Sequence, residues 1–342
     1  MKDRFGKINN GSAAVLLAIG AFAAGFTGYV LLDRANHSGK RAGADYRYPI
    51  EELAKIDPAK ILYRQVGTAI ETGMESAAAI EADWAGNFYV AGDRAVAVFS
   101  GDGSKRRDIP LVSEPTAIGV GEDGLIYAGL SDRIEVYSSD GQQVSAWAPI
   151  HTALLTAIAA GKTDVFAADA LHKIVRRFDK QGNPLGLIGA KDPDRNIEGI
   201  VVPSPYFDLL IAPDGLLRVV NPGRHRIEAY TFDGYLEWHW GRPSVGLEGF
   251  SGCCNPIALA ALPKGGYVTC EKGLVRVKVY DEEGNLVGVV AGPDQLGWQE
   301  PLRVCEKPED CISRGLDAAV DGQGRIYVLD QSKNVVRIFE KK

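Results

Sequence analysis

Five cysteines fall in the last third of the chain: Cys253 and Cys254 side by side, then Cys270, Cys305 and Cys311. Three kinds of chemistry suit such a set. In an oxidising compartment they pair as disulfides, Cys305 closing a small loop with Cys311 and Cys253 or Cys254 reaching Cys270, with one thiol left over. Four thiolates instead hold zinc or an iron–sulfur cluster, although an adjacent pair and a C-x5-C lack the spacing of paired C-x2-C ligands. The third is a reactive or redox-switching pair. Neighbouring cysteines bond to each other only through a strained backbone, and strained bridges are the more easily reduced ones. The sequence leaves all three open.

Other side chains offer weaker chemistry. His172 and His225 stand in loops where two histidines can share a metal, and Asp169, Asn221, Glu271 and Asp330 make an oxygen-rich set of the kind hard divalent cations prefer. The competing structural reading makes these four residues turn caps. Arg224, Arg226 and Arg242 suit an anion, and Trp298, with one of Trp238 and Trp240, suits a binding patch. No Ser-His-Asp order, P-loop or G-x-G-x-x-G after a strand is present. A formal charge of −6 supplies no basic face for nucleic acid.

The elements that must position these residues repeat. An aromatic, two residues, an acidic or polar residue and a glycine recur at Phe99–Gly103, Tyr137–Gly141, Phe178–Gly182, Tyr230–Gly234 and Tyr280–Gly284, and a sixth aromatic stands at Phe339. Successive aromatics are 38, 41, 52, 50 and 59 residues apart. About ten residues upstream of each lies another strand, and before that a turn such as Glu122-Asp-Gly or Pro213-Asp-Gly and an alternating apolar strand. Period-2 alternation bounded by such turns marks antiparallel hairpins. Strand, turn, strand, loop, strand, turn, strand is one propeller blade. The last repeat lacks its fourth strand, and Ile61–Val66, ahead of the first full repeat, supplies a strand to complete it. Residues 57–342 are therefore expected to form an all-β, six-bladed β-propeller.

The repeats resemble those of the NHL family of six-bladed propellers, most clearly over Asp321-Gly-Gln-Gly-Arg-Ile-Tyr-Val-Leu-Asp-Gln-Ser-Lys-Asn-Val-Val-Arg-Ile-Phe. Asp169 and Asp330 stand where that family often has Asp, whereas the matching positions elsewhere read as Gly92, Leu130, Asn221 and Cys270. The resemblance implies a fold, not a function, since such propellers host lyases, lactonases, receptors and scaffolds.

Three insertions, Ala190–Pro205, Arg242–Asn255 and Pro293–Arg314, join one blade to the next, so they should crowd one mouth of the ring. The five cysteines then share that mouth, in the sector of blades five and six. At the other end of the chain, residues 12–32 carry no charge and are long enough to span a bilayer. Lys2, Arg4 and Lys7 precede them and place residues 1–11 in the cytoplasm. Residues 33–56 read as a linker with one helical turn near Pro49–Leu53. The alternative is a signal peptide cleaved after Ala21-Phe22-Ala23. The expectation is a membrane-anchored, extracytoplasmic propeller that binds a protein, peptide or small molecule at its loop-rich face without catalysis and with no cofactor. A cysteine-held metal, iron–sulfur or redox centre is the alternative, and a divalent-metal hydrolase or lyase the second.

Overall fold

The computed structural model describes residues 49–299, 301–302 and 315–342. The apolar stretch 12–32, residues 1–11, most of the linker 33–56, and both Cys305 and Cys311 lie outside the described residues. Among the described residues no helix is long and apolar enough to cross a membrane. A short helix, α1 (Ile50–Ala54), occupies the linker end where one helical turn is expected.

The strands form six four-stranded antiparallel sheets. Blade one holds β2 (Ala77–Ala82), β3 (Phe88–Gly92), β4 (Ala95–Phe99) and β5 (Lys105–Pro110). Blade two holds β6 (Ala117–Val120), β7 (Ile126–Gly129), β8 (Ile134–Tyr137) and β9 (Gln143–Ala146). Blade three holds β10 (Leu155–Ala160), β11 (Asp164–Asp169), β12 (Ile174–Asp179) and β13 (Pro184–Ile188). Blade four holds β14 (Leu209–Ile211), β15 (Leu217–Asn221), β16 (Arg226–Tyr230) and β17 (Leu236–Trp240). Blade five holds β18 (Ala258–Ala261), β19 (Tyr267–Glu271), β20 (Arg276–Tyr280) and β21 (Leu286–Ala291). Blade six takes β22 (Leu316–Val320), β23 (Ile326–Asp330) and β24 (Val335–Lys341) from the end of the chain and β1 (Tyr63–Glu71) from its beginning.

The repeated glycine has a backbone reason. Gly103, Gly141, Gly182, Gly234 and Gly284 all take φ between 83° and 92°, where a Cβ is strained. An Asp directly after the aromatic fixes two of the same turns: Asp179 accepts from the Asn183 N–H at 2.8 Å, and Asp281 does so from Asn285 at 2.7 Å. Each aromatic ahead of that turn is buried. Sheets this apolar on both faces must be covered on both, and the core divides accordingly into one apolar cluster at each of the six blade-to-blade interfaces. The first strands of consecutive blades touch all the way round, β22 meeting β2. The ring is closed.

Closure uses the N-terminal strand, as expected, with a shifted boundary. Ile61 bridges Val289 of blade five, and β1 proper runs from Tyr63, opposite Lys341, to Glu71, opposite Val335. Register also corrects one alignment. The last residue of each second strand pairs with the first of the third, which makes Gly92, Gly129, Asp169, Asn221, Glu271 and Asp330 equivalent. Leu130 and Cys270 are each one residue out of that set, because a glycine and an intervening loop hide the strand end.

Candidate functional site

The blade-to-blade connectors and the loops between second and third strands emerge on one face of the ring, called here the connector face; the tight turns emerge on the other. A channel of about 1210 Å³ runs between the faces, walled by the first strand of every blade. Alanine and branched aliphatic side chains make most of the wall, including Ala79, Ala157, Ala260 and Ala318. Three carboxylates interrupt it between the mouths, Glu81 of β2, Asp208 just ahead of β14 and Asp317 of β22, while Asp83, Glu122 and Lys162 line its rim at the tight turns.

Two of the three stitch neighbouring blades. Asp208 accepts from Leu259 N of blade five at 2.6 Å, and Asp317 accepts from Ile80 N of blade one at 3.0 Å. Thr156 performs the same service between blades three and four, donating to Phe207 O at 2.5 Å. Glu81 accepts a local bond, from Ala82 N at 2.9 Å. Enclosure by protein disfavours charge on all three. Burial pushes Glu81 up to about 8, and the Asp317 charge adds to it. Burial raises Asp208 well above the carboxylate range, with Asp317 and Glu81 adding repulsion, and burial also raises Asp317. Near neutral pH the channel therefore holds fewer charges than carboxyl groups, and its protonated members are hydrogen-bond donors.

The connector-face mouth carries a second group in the sector of blades four to six. Tyr206 lines the channel and donates to Gln331 Oε1 at 3.3 Å, and Gln331 Nε2 donates to Ala78 O at 2.6 Å. The Lys272 ammonium sits 4.3 Å from the Tyr206 ring centroid and donates to Ser204 Oγ at 3.0 Å, so a buried cation rests on an aromatic face. Its field reaches Cys253, whose thiol burial and the adjacent Cys254 nonetheless push up. The Cys253 and Cys254 sulfurs are 3.6 Å apart, beyond any S–S bond. Cys270 does not join them. It is the penultimate residue of β19, fully buried in the core between blades five and six, and burial raises its thiol strongly. Cys253, Cys254 and Cys270 form no disulfide with one another, so the expected bridge to Cys270 is not made.

The other predicted residues are spread over separate blades. Among the described residues no group of three or more His, Cys, Asp or Glu side chains is placed to hold a metal ion. Asp169, Asn221, Glu271 and Asp330 are buried, and each holds its own blade together. Burial opposes the Asp169 charge, but bonds from Leu154 N, Arg176 and His172 hold its carboxyl low. Asn221 accepts from Val201 N at 3.0 Å and donates to Glu228 at 2.9 Å. Asp330 caps the next loop through Ser332 and Lys333. His172 bonds Asp169 at 2.8 Å and His225 donates to Gly252 O at 2.5 Å, in different blades. Arg224 pairs with Glu198 at 2.8 Å and Arg242 with Glu248 at 3.5 Å. Trp298 packs on the core of blades five and six, while Trp240 is buried between blades four and five. Trp238 lies over Arg218, 4.9 Å from its guanidinium.

Sequence reasoning missed a buried clamp in blade five. Glu271, Arg276 and Lys278 have side chains of 0% exposure, with Arg276 Nε 2.6 Å and Lys278 Nζ 3.3 Å from Glu271 Oε2. Arg276 also donates to Val245 O at 3.0 Å, and Lys278 to Leu247 O and Gly249 O at 3.0 and 2.6 Å. The second insertion is thereby tied down against blade five. Burial lowers Lys278 to about 8 although Glu271 opposes the shift. Glu81, Asp208, Asp317, Tyr206 and Lys272 were missed too. The one available signal was an Asp at the start of two apolar first strands, Phe207-Asp-Leu209 and Leu316-Asp-Ala318.

No protein-family model and no curated protein matches the chain. Among solved structures it is similar to a streptogramin B lyase, with a TM-score of 0.55 and 9% identity over 82% of this chain and 98% of the other. It is similar to the virginiamycin B lyase of Staphylococcus aureus, with a TM-score of 0.52 and 11% identity over 82% and 99% of the two chains. A protein of unknown function from Bacteroides thetaiotaomicron gives a TM-score of 0.56 and 13% identity over 82% and 73%. At such identities the likeness shows the propeller fold.

Proposed function

We propose that this protein is a non-catalytic binding propeller of NHL-like repeats, held on the outer side of a membrane by residues 12–32. Its ligand is a small organic cation that enters the axial channel from the connector face. The observation that carries this reading is the channel itself: about 1210 Å³ of space, walled by apolar first strands and broken by the carboxyls of Glu81, Asp208 and Asp317. Polar groups converging on a largely apolar concavity are the mark of a ligand site. Among the described residues none of the three makes an ion pair, and the one lysine on the lining, Lys162, is exposed in a turn at the rim, so a bound ammonium or guanidinium group supplies the missing charge and expels the protons that burial retains.

Calorimetric titration with agmatine, choline and spermidine at pH 6 and pH 8 tests the reading. At least one should bind more tightly at pH 8, with proton release, and lose affinity in Asp208→Asn and Asp317→Asn proteins. If none of these cations binds, or if binding survives both substitutions, the reading is wrong.

A further inference from the structure

The paired cysteines belong to no part of the channel reading, yet their loop is built with care. Ser251 and Asn255, which flank Gly252, Cys253 and Cys254, are both buried. Asn255 Nδ2 donates to Ser251 O at 2.7 Å and to Lys272 O at 3.0 Å, while its Oδ1 accepts from Lys272 N at 2.9 Å. Ser251 N donates to Glu271 at 2.9 Å, and His225 holds Gly252 O. Gly252 supplies the left-handed φ of 72° that the turn needs. Both ends of a five-residue turn are thus fixed to β19 and its loop, and the two sulfurs are presented 3.6 Å apart. Cys254 is enclosed and Cys253 is half-buried.

A disulfide suits this geometry poorly. The Cys253–Cys254 peptide is trans, which holds adjacent Cα atoms about 3.8 Å apart, against roughly 4.4–6.8 Å for an unstrained bridge. Two thiolates at one tetrahedral zinc, with Zn–S of about 2.3 Å, lie about 3.8 Å apart. Sulfur at this spacing accepts a metal ion with only small side-chain movement, and thiolates select soft ions.

We propose that Cys253 and Cys254 form a two-thiolate site for one thiophilic metal ion, zinc(II) or copper(I) in class. Binding replaces two thiol protons with the ion and releases both protons. Asn255 is a positioning residue, since it fixes the turn without touching the ion.

The test uses the reduced full chain under argon. Zinc(II) and copper(I) are each offered from a chromogenic chelator that reports what the protein removes. One ion per chain and two protons released per ion are expected. Cys253→Ser and Cys254→Ser should each weaken retention by more than the roughly 100-fold that loss of an outer-shell partner costs, and Asn255→Ala by about 10–100-fold. Cys270→Ser should change nothing. A measurement on the unaltered protein guards against misfolded variants. Phenylarsine oxide condenses with two neighbouring thiols, forming two As–S bonds and releasing one water, and the adduct should map to the peptide carrying both cysteines. Failure of both ions to bind, retention unchanged in Cys253→Ser and Cys254→Ser, or an arsenical adduct elsewhere would overturn the proposal.

Discussion

Replacing Glu271 by Gln removes the carboxylate that pairs with Arg276 and Lys278 at 2.6 and 3.3 Å, in a site where all three side chains are fully buried. Two like charges then remain without a paired carboxylate, and Glu248 is left to act on Lys278 as a weaker opposite charge. Breaking a buried pair in this way costs about 3–5 kcal/mol. At about 2 °C per kcal/mol for a domain of this size, the melting temperature should fall by about 6–10 °C. The penalty has a pH signature. Lys278 is already lowered to about 8 by burial, and Glu271 is the strongest influence that raises it. Without Glu271 the lysine sheds its proton at lower pH, so the loss should be largest near pH 6 and smaller at pH 9. Lys278→Met should also cost less in the Glu271→Gln background than alone, with a coupling of about 0.5–3 kcal/mol. Urea and thermal unfolding followed by circular dichroism at both pH values measure all of this. A Glu271→Gln protein within about 1 kcal/mol of its parent, or additive effects of the two substitutions, would show that the clamp is not an electrostatic unit.

Glu81 is raised from 4.5 to about 8, so the folded protein holds more protons than the unfolded chain across that window, and stability is lost as pH rises through it. Melting curves should therefore show Glu81→Gln matching the parent at pH 4 and exceeding it at pH 8; parallel curves would contradict this. Asn334 ties blade six to blade one, accepting from Ala77 N and donating to Glu75 O, both at 2.9 Å, with φ of 54°. Asn334→Ala should cost roughly 1–3 kcal/mol for the bonds and about 1 more for the left-handed backbone, whereas Asn334→Gly is spared the second cost and should melt higher.

Blade count, ring closure and insertion sites were legible because turn chemistry is local. A glycine at φ near 90° after an acidic or polar residue declares each hairpin whatever packs around it. Interior polarity was not legible, for a reason visible in β20. Arg276-Val-Lys-Val-Tyr280 alternates like a strand with one face in water, but both faces of a propeller blade are covered, and here an insertion covers the polar one. Glu81 in Ala77-Ala-Ala-Ile-Glu-Ala82 misleads similarly, since its polar side looks into an enclosed lumen rather than bulk solvent. The one-residue slip to Cys270 arose because periodicity gives a strand's phase but not its last residue. Glu271 was still singled out, on its chemistry alone.

The pairing of β1 with β24 sets an order of events on the ribosome. Five blades can emerge and fold while β1 still waits for β24, so the nascent chain carries an unpaired β-edge at each end of an open arc until β24 has emerged. Such an arc can recruit the edge of a second chain as readily as its own. Dimers swapped through β1 are therefore the misassembly this architecture invites, and holding the waiting strand apart from its neighbours is the protection it needs.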